Sequence, residues 1–169
     1  MKPQKTGEPA RAGRRGQRGQ RGAALVESAF VLFPMVLLTA GIFDVAVALM
    51  IKATFTHAAR EGARYAITYQ TYTGLGQDAS IKKWVRTNAM GLLSDSNITI
   101  NYYDGNNPST LIAPPNGNAP GNVVVVSITG FNWKWMVPVV MGSRSPFSIT
   151  ASSADRMEGL GAGQSAPAR

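Results

Sequence analysis

RGAALVESAFVLFPMVLLTAGIF, residues 21–43, decides the fold. From Leu25 to Phe43 the only residues that are not plainly apolar are Glu27, Ser28, Pro34, Thr39 and Gly41. Nineteen residues rising 1.5 Å each span roughly 28 Å, the thickness of a bilayer's hydrocarbon core. A cleaved secretory signal has an apolar region of only about 7–15 residues. A soluble core helix keeps a wet face, and this segment has none. The stretch therefore reads as a membrane span, with one carboxylate, Glu27, in its first turn.

The chain of 169 residues has room for one ordinary domain beside this span. Its net charge of +8 is unevenly distributed. Seven basic residues and one acid, Glu8, precede Gly22, so the leader carries +6 and the rest +2. Five arginines lie between Arg11 and Arg21, whereas Lys52, Arg60 and Arg64 follow the span at wider intervals. Positive flanks stay in the cytoplasm, which places the leader inside and the C-terminal part outside. The leader, RRGQRGQRG, lacks apolar residues and reads as flexible. It also lacks the aromatic residues of a nucleic-acid-binding arm. The absence of cysteine excludes disulfides, zinc–thiolate sites and thiol catalysis.

Two polar features lie within or beside the span. Asp44 lies about 32 Å along a helix from Ala23. That is near the outer interface, where a carboxylate costs little, and it reads as a boundary residue, with a helix–helix contact as the second reading. Pro34 deletes a helix hydrogen bond and should kink or loosen the span.

Beyond the span, IKATFTHAAREGARYAITYQ, residues 51–70, mixes alanines and aromatics with charges at helical spacing and contains no proline. One helix from about Ala23 to Tyr69 is expected, roughly 70 Å long and half outside the membrane. Arg60, Glu61 and Arg64 form a charged face. Arg60 and Arg64 repel each other at i,i+4 unless Glu61 or a partner relieves them. His57 and Glu61 are four apart, but with one histidine in the chain no metal site is expected.

Thr73-Gly-Leu-Gly76 breaks the helix. A second helix capped by Asp78 or Ser80 is expected to run to about Ala89, with Ile81, Trp84 and Val85 on one side. Residues 98–103, 123–129 and 147–153 read as strands, separated by an Asn-, Gly- and Pro-rich loop over 104–121. In FNWKWMVPVVMG, residues 131–142, Phe131, Trp133 and Trp135 alternate and would share one face, as core packing or as a surface contact. Pro138 makes a central strand improbable beyond Val137. The tail, 159–169, is small and polar and is expected to be loose. No phosphate-binding loop or catalytic triad is present, and no cofactor is expected. The chain reads as structural and not as an enzyme.

Gly22-Ala-Ala-Leu-Val-Glu27, a glycine and then a glutamate five positions on, resembles the processing site of type IV prepilins and pseudopilins. With HAAREGARYA, the resemblance narrows to the TadE-like family, minor pseudopilins of tight-adherence (Tad, or Flp) pili. Ser28 stands where the major pilins carry tyrosine, and a long domain follows, so a minor subunit is implied. The resemblance implies cleavage by a prepilin peptidase between Gly22 and Ala23, with Glu27 attracting the new amine of a neighbouring subunit. It implies a pilin-like α+β fold, a long N-terminal transmembrane helix continuing into a periplasmic domain with a small antiparallel sheet. The expected organisation is a leader 1–22, a transmembrane part 23–50, a helical continuation 51–70, an outer domain 71–158 and a tail 159–169. Partners implied are the peptidase, other minor pseudopilins, the major pilin and the inner-membrane assembly platform. An uncleaved membrane-anchored binding module is the competing reading.

Overall fold

The computed structural model describes residues 16–137, 142 and 145–169, with side chains from Gly22 onward. The leader before Gly16 and Pro138 lie outside the described residues. Helix α1 runs over Gly16–Ile67 and α2 over Gln77–Asn88. Strands β1 (Ile98–Tyr103), β2 (Val123–Trp133) and β3 (Phe147–Arg156) form an antiparallel sheet in the order β1-β2-β3. The architecture is α+β, a long apolar helix followed by a short helix and a small sheet.

The helix α1 extends the expected one at its start. Its backbone is already helical at Gly16, where the leader reads as flexible. Adding a turn to an existing apolar helix costs far less than nucleating one, so α1 propagates back into the glycine-rich segment. Pro34 stands inside α1 without ending it. At the far end Tyr69 adopts φ 55° and terminates the helical path just after Ile67.

The upper part of α1 packs on α2 and on one face of the sheet. Val124, Val126 and Ile128 of β2 are fully buried at alternate positions, as strand periodicity requires of a sheet covered on one side. They meet Phe55, Ala58, Ala59, Ile81 and Val85 in one core. A Cβ on Gly62 would run into the Val85 side chain, so this glycine is what lets α1 and α2 approach. Toward the Trp133 end of β2, the register with β3 shifts between Ile128 and Phe131, with Gly130 at φ 74°. This bulge bends the end of β2.

Two local expectations are corrected. Helix α2 is capped by Gly76, not by Asp78 or Ser80. Ser80 Oγ donates to the Gly76 carbonyl and accepts from the Tyr72 amide, while Asp78 accepts from the Tyr102 hydroxyl. The end of the tail is docked where composition suggests looseness. Gln77 N donates to the Ala168 carbonyl at 2.7 Å, and Asn118 Nδ2 to the Pro167 carbonyl at 2.7 Å. Arg169 pairs with Asp78 at 3.1 Å and lies over the Tyr102 ring. Burial, then the Asp78 charge, pushes the Tyr102 hydroxyl well above its ordinary pKa of 10.0.

Candidate assembly surfaces along the long helix

Glu27 stands on α1 among side chains that none of the described residues covers. Leu25, Val26, Phe30, Val31 and Leu32 are each more than half exposed. Gly22, Ala23 and Glu27 are exposed as well. Glu27 follows Ala23 by one turn, so both lie on one face of the helix. Among the described residues Glu27 has no hydrogen-bond or ion-pair partner. An amine released at Ala23 and the carboxylate of Glu27 would present a cation and an anion about one turn apart on the same bare face.

Asp44, read as a boundary residue, is not held there by water. It is fully buried. Its Oδ1 accepts from the Trp133 indole Nε1 at 3.0 Å, and its Oδ2 from the backbone amides of Met136 at 2.7 Å and Val137 at 3.1 Å. Three donors meet both oxygens, which is what a carboxylate removed from water needs. The contact joins α1 to the end of the β2–β3 hairpin, within one chain.

Phe131, Trp133 and Trp135 separate into different tasks. Phe131 is half-buried and meets Phe55 of α1 edge-on, ring centroids 4.9 Å apart. Trp133 donates to Asp44. Trp135 packs against Phe147 across the hairpin, at 5.9 Å. Strand β2 ends at Trp133, before the Val137 limit.

On the upper part of α1 the segment AAREGAR divides between two faces. Ala58, Ala59, Ala63 and Ala66 are buried with Gly62 on the inner face. Arg60 and Arg64 are exposed and Glu61 half-exposed. None of the three forms an ion pair among the described residues. Glu61 and Arg64 edge a shallow groove with Tyr65, Thr68, Gln70 and Trp84. Trp84 stacks on Tyr65 with centroids 5.2 Å apart, and burial, then the neighbouring Tyr72, raises the Tyr65 hydroxyl pKa. His57 is exposed, and the described residues contain no cluster able to hold a metal.

Sequence reasoning missed the small inner stripe of residues 58, 59, 62, 63 and 66 as a packing device. Its spacing of three and four was visible and is the signal that finds it. The Asp44–Trp133 contact and the Arg169–Asp78 pair left no local signal.

Comparison with known proteins matches one family model, described as TadE-like protein, to residues 22–64. The match begins at Gly22 and ends at Arg64, covering the bare and the packed parts of α1. No curated protein and no solved structure matches the chain.

Proposed function

With residues 22–64 TadE-like and the family associated with Tad pilus systems, we propose that this protein is a minor pseudopilin of a Tad-type pilus. It is made as a prepilin in the inner membrane, leader in the cytoplasm and outer domain in the periplasm. A prepilin peptidase cuts between Gly22 and Ala23. The observation that carries the reading is where the match begins, at the glycine that precedes the cut.

The mechanism of assembly follows from charge in lipid. Cleavage creates an ammonium on Ala23, and Glu27 already lacks a partner on its own helix among the described residues. A charge without a partner is expensive in hydrocarbon, and opposite charges attract there several times more strongly than in water. Glu27 of one subunit therefore draws in the Ala23 amine of the next and sets the register between their helices. Arg60, Glu61 and Arg64 then face other minor pseudopilins, the major pilin or the assembly platform. The role is structural, in the initiation or tip complex, and needs no cofactor or catalytic group.

The test is the N-terminus of the protein from native cells, read by mass spectrometry. A mature chain beginning at Ala23, lost when Gly22 is replaced, is expected. A chain beginning at Met1 or Lys2 would overturn pseudopilin processing and leave an uncleaved anchored binding module. A start just after Ala48 would mean ordinary secretion.

A further inference from the structure

The β2–β3 hairpin reaches down α1 to the level where the apolar span ends. Asp44 directly follows Phe43, the last residue of that span. The Met136 amide, 2.7 Å from Asp44 Oδ2, fixes the hairpin backbone at the same height. Cover on the Asp44 face also continues below it. Gly41 is buried and Ala40 and Leu37 are half-buried, in a stretch whose other residues are exposed. Leu37 lies about 10 Å further down the axis than Asp44.

What the hairpin presents at this height is apolar. Met136 is 63% exposed and Phe147 48%. They adjoin a helix whose own Ile42, Phe43 and Leu49 are more than 60% exposed. Trp135 sits with Phe147 at the hairpin end, and a tryptophan at this depth suits the headgroup boundary. Lys134 is exposed and long enough to reach phosphate. Irregular backbone survives at membrane depth only with its polar groups satisfied within the protein. Asp44 satisfies the Met136 and Val137 amides.

We propose that the described residues beside Asp44, where β2 and β3 approach α1, form a second membrane contact of this protein. Trp135, Met136 and Phe147 enter the outer leaflet beside α1, and Asp44 is the fastener that holds them there. The partner is lipid, the acyl chains just under the headgroups. The outer domain is thereby held against the bilayer at a set angle and does not swing on α1. The proposal rests on α1 spanning the membrane.

The chain contains no cysteine, so single cysteines report cleanly. The full chain is placed in phosphatidylcholine nanodiscs with a spin label at Leu38→Cys, Met136→Cys or Thr87→Cys, one at a time. Collisions with oxygen, which concentrates in lipid, are compared with those of a water-soluble nickel chelate. Leu38 and Met136 labels are expected to favour oxygen several-fold, and the Thr87 label on α2 to favour nickel. An oxygen-exposed Leu38 label with a nickel-exposed Met136 label overturns the second contact and leaves the span standing. A nickel-exposed Leu38 label overturns the span and the proposal with it. A Met136 label reached by neither reagent means that a second copy covers the hairpin, which also overturns lipid contact. In the Met136→Cys chain, Asp44→Asn is expected to return the label to water, and Trp133→Phe, which deletes one donor, to do so partly. A label that stays in lipid in both variants removes Asp44 from the fastening role.

Discussion

The two halves of α1 are one helix in two surroundings. Below Phe43 most of its large side chains are exposed, Phe30 at 77% and Phe33 at 66%. Above Ala48 its inner face sets Ile51 and Phe55 beside a stripe of alanines and Gly62, and α2 and the sheet close over it. Bulky apolar residues without a partner among the described residues suit a membrane anchor. Small residues backed by a domain allow close approach of helix and sheet. The TadE-like match spans both halves of α1, from Gly22 to Arg64. Asp44 sits where the two regimes meet.

The largest effect should come from the bare half. Glu27→Ala is expected to abolish pilus assembly while the outer domain keeps its fold, checked by electron microscopy of cells beside circular dichroism of the protein. Normal pili would show that the acid has no assembly role.

At the junction, Asp44→Ala strands three donors. The outer domain should lose about 2–4 kcal/mol. Denaturant unfolding in detergent, followed by tryptophan fluorescence, measures it. A loss below about 0.5 kcal/mol, the size of a surface substitution, would deny that the contact matters.

In the packed half, Gly62→Val forces a branched side chain into Val85. A loss of about 1–3 kcal/mol is expected in the same assay. An unchanged midpoint would mean that α1 and α2 are less tightly joined than their geometry indicates.

The outer domain should also weaken in alkali. Folding raises the Tyr102 pKa above 10.0, so above that pH the unfolded chain releases a proton that the folded one retains. The stabilisation is whole below pH 10 and is lost progressively above it. Tyr102→Phe should flatten the decline, and an equal decline in both proteins would assign it to other groups.

The smallest effect belongs again to the bare half. Phe33→Leu should move the outer domain's stability by less than about 0.5 kcal/mol, because Phe33 touches none of its core. A larger shift would show that the two halves are coupled.

The amino-acid sequence by itself determined the elements whose causes are local. Transfer energy summed along one segment marks a span. Period-two alternation gave β1 its bounds, Ile98–Tyr103, residue for residue. The strand in 123–129 was legible from its run of β-branched residues, although β2 continues through its bulge to Trp133. Glu27 stood out because an acid in an apolar run is conspicuous without any structure. Only the tertiary structure decided what Asp44 does, since its three donors lie 89 to 93 residues away. The docking of Arg169 on Asp78 crosses 91 residues, and no pattern within the tail announces it. Gly76 caps α2, while Asp78 and Ser80 lie inside the helix and bond Tyr102 and Tyr72, partners distant enough to leave no capping signal in the sequence. Propensity and periodicity act along a few turns of chain, whereas a buried charge or a docked tail is settled by whichever distant donors folding brings within 3 Å.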